Sequence, residues 1–283
     1  MSSIAIITDS DASLPADVAA RYNIRQVPIL IQFGVETFRT EIDIDDAGLF
    51  ARIDREGKLP TTAAPSPGQF LEAYEVAFAT GADAIVCLCV SSAISATYGA
   101  AVTAKEMLPD RTIEVVDTRV VSMAQGFMAL AAAEAAQAGA SVTEVVATAF
   151  AVGERSHLFG AFSTLKYLAM SGRVGHLSAG FGNLLSVKPI VTMRDGKLDL
   201  LEKVRTRSKS LARVVELTGE AMAGRPIQQM AVLHVAVPAE AIAFEAQLRA
   251  ALPCPSTILH AGLTAGLSVH TGAGMLGVVA VAG

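Results

Sequence analysis

The stretch Asp83-Ala-Ile-Val-Cys-Leu-Cys-Val90, continued by Ser91-Ser-Ala-Ile-Ser-Ala-Thr-Tyr98 and Gly99-Ala-Ala-Val-Thr-Ala-Lys-Glu-Met-Leu108, decides the fold. Ala84–Val90 is an unbroken apolar run, which is how a strand buried on both faces of a parallel sheet reads. The segment after Thr97 is rich in Ala and carries polar residues at helical spacing. Between them lie Ser91, Ser92, Ser95 and Thr97. A strand, a hydroxyl-rich turn and a helix start aim free backbone N–H groups and the positive end of the helix dipole at one spot, an anion site. Hydroxyls placed there cap the helix, hold a ligand, or do both.

Outward from this unit the same alternation repeats. Ile4–Thr8 reads as a first buried strand, and Asp9-Ser-Asp-Ala-Ser-Leu-Pro15 as a capping turn before a helix that ends near Tyr22. Val27–Phe33 reads as a second strand with Gly34 as its turn. Helices are expected over Asp46–Ile53, Gly68–Thr80, Ser122–Ala138 and Ser141–Arg155, with Thr112–Val116 as a further strand. Ser141 with Glu144 three residues on is a capping box. The Pro- and hydroxyl-rich segment Leu59–Gly68 reads as a loop. Strands alternating with helices at this spacing imply a parallel sheet with helices on both faces.

The pattern changes near Arg155. Leu158–Phe162, Leu184–Arg194, Lys197–Lys203, Gln229–Ala236, Ser256–Ala261, Ser268–Val269 and Leu276–Ala282 read as strands. Asp195-Gly196 reads as a hairpin turn. Ser163–Met170, Leu211–Met222 and Ala239–Ala250 read as helices. The expected fold class is therefore α/β with two domains, an N-terminal parallel-sheet domain over 1–155 and a smaller C-terminal α+β domain over 156–283.

Apolar residues make up 52% of the 283 positions and charged residues 17%, so there is apolar surface to spare for a ligand cavity. A net charge of -5 argues against a general nucleic-acid binder, which needs a basic face. Three cysteines, two of them inside the central strand, fit buried free thiols in a reducing compartment. No signal-peptide pattern precedes the first strand. A cytoplasmic protein is expected. The segment after Arg249 has no Asp, Glu, Lys or Arg, but its Pro255, His260, His270 and many Gly and Ser argue for short strands and turns over a membrane span.

Gly272-Ala-Gly-Met-Leu-Gly277 spells G-x-G-x-x-G, yet only six residues follow it, too few for the helix and strand of a dinucleotide site. Glycines of a tight turn are expected instead. The five His show no metal-ligand spacing, so neither metal nor cofactor is expected. The basic run Lys203, Arg205, Arg207, Lys209, Arg213 reads either as a solvated face or as a docking patch for a phosphate-bearing partner. Thr61-Thr62, Ser91–Thr97 and His270 could converge at strand ends, where ligands bind in open α/β sheets.

Several motifs come in the order and spacing of one family. They are Thr8-Asp-Ser10, Pro60-Thr-Thr-Ala-Ala-Pro-Ser66, Ser91–Tyr98, and Val116-Asp-Thr118 with Ser122 and Gln125-Gly126. Leu165-Lys-Tyr-Leu with Ser171-Gly-Arg-Val-Gly175 and His270-Thr-Gly-Ala-Gly274 complete the set. In these the chain resembles the DegV family over essentially its whole length. The resemblance implies a protein like the fatty-acid-binding subunit of bacterial fatty acid kinase. One long-chain fatty acid such as palmitate would lie in a tunnel between the two domains. Its carboxylate would be presented to a separate ATP-dependent kinase subunit for acyl phosphate formation, with room for transient membrane contact. The matching positions imply head-group contacts from Thr62, Ser95, the Ala96 N–H and His270. Ala63-Ala64, Ala96, Ser171 and Ala273 stand where the family has Ser-Gln, Gly, Gly and Pro. Arg173, Arg205 and Arg207 are expected to dock the kinase. The rival expectation is a lipid esterase, with Ser95 as nucleophile and His270 as base.

Overall fold

The computed structural model describes residues 3–173 and 187–283. The chain runs β1 (Ile4–Asp9), a 3-10 turn (Ser10–Ala12), α1 (Ala16–Arg21), β2 (Arg25–Val27), β3 (Leu30–Phe33), β4 (Glu36–Arg39), α2 (Asp46–Glu56), β5 (Thr61–Ala63) and α3 (Pro67–Ala79). It continues through β6 (Ala84–Cys89), α4 (Thr97–Glu106), β7 (Thr112–Asp117), α5 (Met123–Gln137), α6 (Val142–Gly153), β8 (Ser156–Ala161) and α7 (Lys166–Met170). From residue 187 onward come β9 (Lys188–Arg194), β10 (Lys197–Val204), α8 (Arg207–Met222), β11 (Ile227–His234), α9 (Pro238–Ala251), β12 (Leu259–Gly262), α10 (Ala265–Thr271) and β13 (Leu276–Ala282).

Among the described residues there are three sheets. The first is wholly parallel, in the order β2-β1-β6-β7, with every residue of β6 buried as its apolar run requires. The second is six-stranded and mostly antiparallel, in the order β10-β9-β8-β13-β11-β12, and is built wholly from residues after 155. The third is a small antiparallel sheet, β4-β3-β5. The fold is thus mixed α/β, a helix-flanked parallel sheet beside a separate, mostly antiparallel one.

Helix α5 lies between the two large sheets. It packs on β1 and β6 on one side and on β8, β11 and β13 on the other. Met123 through Ala133 are all buried, and Ala at five of those eleven positions keeps the helix thin enough for both sheets to approach. The β9–β10 hairpin turns at Asp195 and Gly196, both at positive φ. That is the Asp-Gly hairpin expected of the pair. Ser91 Oγ donates to Gly196 O at 2.7 Å, tying the hairpin to the loop after β6.

Three expectations are corrected. Val27–Phe33 is not one strand. Pro28 lacks the N–H a ladder needs, so the chain leaves the parallel sheet at Val27 and starts the small sheet at Leu30. Thr61–Ala63, expected in a loop, pairs with β3 through Ile31–Thr62. Ser268–Val269 is not a strand but the middle of α10. The expected strand start at Leu184 lies outside the described residues.

Candidate functional site

In a parallel sheet the crevice forms outside the C-terminal strand ends, where neighbouring strands send their connections to opposite sides. Here that point lies between β1 and β6, since β1 continues to β2 on one side and β6 to β7 on the other. A buried polar knot closes it. The Asp9 carboxylate accepts from Val90 N at 2.7 Å, Asp11 N at 3.0 Å and Gln125 Nε2 at 3.1 Å. Gln125 also donates to Thr8 Oγ1 at 2.9 Å. Burial nevertheless pushes the Asp9 carboxyl up to about 6. Burial together with the neighbouring Asp9 pushes Asp11 well above the usual carboxylate range, and Arg173 pulls it the other way.

Above the knot lies a cavity of about 310 Å³ between the two large sheets. That volume falls in the range of small-molecule sites, roughly 300–1,000 Å³. Val90, Ile94 and Val121 line it from the loops of the parallel sheet, and Leu158, Val191 and Leu233 from the opposite sheet. Polar groups on the lining include Thr62 on β5, Ser95 before α4, and His270 with Arg173 from the C-terminal half, along with Asp11 and Ser122.

Thr62 Oγ1 lies 2.9 Å from His270 Nε2. Burial first, and Arg173 second, push the imidazole down to about 4, so it is neutral at pH 7. Its Nδ1 is buried with no partner among the described residues. The Arg173 Nη1 donates to Ser171 O at 2.7 Å. Ser95 Oγ lies 2.8 Å from Thr97 Oγ1 and accepts from Thr97 N at 3.3 Å, a local cap at the first turn of α4. Ala96, the residue before that turn, makes no side-chain cap bond.

The structure therefore brings Thr62, Ser95, Ala96 and His270 to one cavity, although three elements far apart in the chain carry them. It places Arg173 on the same lining, where the docking expectation had put it on a surface with Arg205 and Arg207. Arg207 Nε donates to Glu240 at 2.8 Å and its Nη1 to Gly274 O at 2.6 Å. Arg205 is exposed and forms no ion pair among the described residues. The Ser95–His270 contact an esterase needs is not made, because each side chain is engaged by a threonine instead. Sequence reasoning missed Asp11 as part of the lining. Its neighbour Asp9 does cap the turn, through Asp11 N, and nothing in a run of Asp and Ser tells a cap from a buried wall. The expected glycine turn is present: Gly272 and Gly274 have φ of +75° and +81°.

The fold and the cavity define a protein of two α/β layers enclosing a largely apolar chamber whose lining includes Thr62, Ser95 and His270. The chain belongs to the DegV family, described as uncharacterised, whose model matches residues 3–283. A DegV domain-containing protein of Streptomyces coelicolor is 38% identical over 276 residues, covering 98% of this chain and 97% of the relative. The DegV protein of Bacillus subtilis is 31% identical over 277 residues, covering 97% of this chain and 98% of the relative. Among solved structures, a DegV family protein from Thermus thermophilus described by its fatty acid binding superposes with a TM-score of 0.91 at 29% identity, over 99% of each chain. DegV from Bacillus subtilis, described as a fatty acid binding protein, superposes with a TM-score of 0.88 at 30% identity over 100% of each. No helix among the described residues is long and apolar enough to cross a membrane.

Proposed function

We propose that this protein binds one long-chain fatty acid in the cavity, carboxylate toward Thr62, Ser95, Ala96 N–H and His270. It presents that carboxylate to a separate ATP-dependent kinase for acyl phosphate formation. The observation that carries the reading is the joining of an apolar chamber to a cluster of hydroxyl and imidazole groups at residues 62, 95 and 270.

The energetics agree with it. Burying about 15 methylenes at ~0.8 kcal/mol each supplies on the order of 10 kcal/mol before association costs. The head group then needs partners only to avoid an unpaired buried charge. Two hydroxyls, a backbone N–H and an imidazole meet that need. Arg173 supplies the positive charge on the lining, where burial holds His270 neutral and raises the Asp11 carboxyl. In this reading Arg173 serves the carboxylate, and the kinase docks on the exposed part of the basic run around Arg205. Arg207 holds the Gly274 turn beside it.

The test is extraction of the freshly purified protein under denaturing conditions, followed by gas chromatography. The reading expects close to one fatty acid of about 14–18 carbons per chain. A protein that emerges empty and takes up neither added palmitate nor oleate contradicts it.

A further inference from the structure

The cavity wall carries two polar atoms that a plain acyl chain leaves unserved. Asp11 is 8% exposed and Ser122 is 2% exposed, and both line the cavity among Ile29, Val121 and Leu267. Asp11 Oδ1 and Ser122 Oγ have no hydrogen-bond partner among the described residues. The backbone holds the two side by side, for Ser122 N donates to Asp11 O at 2.8 Å. Ser122 sits at φ +57°, an uncommon conformation for a residue with a side chain. Facing Asp11 is Gly266, also on the lining. A Cβ at Gly266 would stand 3.3 Å from Asp11 Oδ1, so the absence of a side chain there leaves the carboxyl open to the chamber.

An unpaired buried polar group is costly, and methylenes passing over it supply neither donor nor acceptor. A hydroxyl supplies both. It can donate to Asp11 Oδ1 and accept from the Ser122 O–H. Burial and Asp9 raise the Asp11 carboxyl, which favours its neutral form as a partner for a hydroxyl.

We propose that Asp11 and Ser122 form a subsite for an oxygen on the acyl chain, and that the preferred ligand is a hydroxylated long-chain fatty acid. This rests on the fatty acid reading above. Arg173 acts on Asp11 through its charge but gives it no hydrogen bond among the described residues, so Asp11 Oδ1 stays open.

The test uses the delipidated full chain and two kinds of probe, octadecanoic acid and its positional hydroxy isomers, in displacement titrations of a fluorescent fatty acid. At least one isomer should bind about fivefold or more tighter than octadecanoic acid, the gain of two buried hydrogen bonds over none. In Asp11→Ala and in Ser122→Ala that preference should shrink to within about twofold. Ser122→Ala removes one atom and serves alone if Asp11→Ala does not fold. The proposal is overturned if no isomer surpasses octadecanoic acid, or if the preference survives Ser122→Ala. It is also overturned if the variants lose octadecanoic acid itself, because the pair would then hold the carboxylate. Binding of octadecanoic acid without hydroxyl preference sinks this inference alone; failure of every acid to bind wild type sinks the fatty acid reading with it.

Discussion

Thr62 Oγ1 and His270 Nε2 lie 2.9 Å apart across a sequence separation of 208 residues. One belongs to the short strand β5 and the other to the seven-residue helix α10. The contact joins the small sheet to the C-terminal half at the mouth of the cavity. It engages the imidazole, which burial holds neutral, with a threonine hydroxyl, while Ser95 pairs with Thr97.

Removing the hydroxyls separates binding from stability. Thr62→Val and Ser95→Ala should each weaken fatty acid binding by about ten- to a hundredfold, the loss of a charge-assisted bond worth roughly 1.5–3 kcal/mol. The delipidated variants should lose only about 1 kcal/mol of stability, for the Thr62–His270 bond or the Ser95 cap. Delipidation is necessary because bound ligand raises the melting temperature by mass action. Variants that lose stability but bind oleate like wild type would make these hydroxyls structural.

The depressed His270 has a pH signature. Its folded value is about 4 against an ordinary 6.5. Between those values the unfolded chain binds a proton that the folded chain refuses, so stability falls as pH drops through this window. The raised Asp9, with a folded value of about 6 against 3.8, acts in the opposite sense over much of the same range and masks it. The comparison must therefore be differential. Denaturant unfolding of the delipidated protein from pH 7 to 4 should show wild type losing stability relative to His270→Gln as pH falls. A constant difference would mean that the imidazole is not held neutral by its surroundings.

The fold was largely legible in the sequence, and the exceptions have local causes. The buried runs Ile4–Thr8 and Ala84–Val90 predict β1 and β6 because a parallel strand covered on both faces leaves no polar alternation to misread. The Ser141/Glu144 capping box predicts the start of α6, and both its bonds are present. Pro28 was the signal that Val27–Phe33 is two strands. Helix α10 was hidden because Gly266, Ser268 and Thr271 are poor helix formers, and tertiary packing against β3, β5 and α2 holds them in place. Thr62, Ser95 and His270 were legible through family motifs. Asp11 and the placement of Arg173 on the lining were not, because a chamber shared by two sheets brings them there, which no local pattern records.

The turn after His270 should be intolerant of a side chain. Gly272 has φ +75°, and a Cβ there would stand 2.3 Å from the Tyr167 ring. Gly34 has φ +61° with nothing within 4 Å of the same position. Both Ala variants incur the backbone strain of about 1 kcal/mol, so the excess loss at Gly272→Ala isolates the clash. Thermal unfolding should show Gly272→Ala clearly less stable than Gly34→Ala, with weakened fatty acid binding because His270 lies two residues away. Equal losses would show that Tyr167 yields.

The basic run should divide by role. Arg205→Glu and Lys209→Glu, both at exposed positions, should lower acyl phosphate formation by a partner kinase severalfold and leave fatty acid affinity unchanged. Arg173→Gln should lower the affinity itself, since Arg173 lines the cavity. Loss of affinity in Arg205→Glu, or full affinity in Arg173→Gln, would refute the division.

The most direct measurement of the central claim is the carbon-13 spectrum of hexadecanoic acid labelled at its carboxyl carbon and added at one equivalent to the delipidated protein. The account predicts a single bound carboxyl resonance. Thr62→Val and Ser95→Ala should each move it, and Leu198→Ala, an apolar lining change, should leave it in place. No bound resonance, or one indifferent to both hydroxyls, would contradict a carboxylate seated at Thr62, Ser95 and His270.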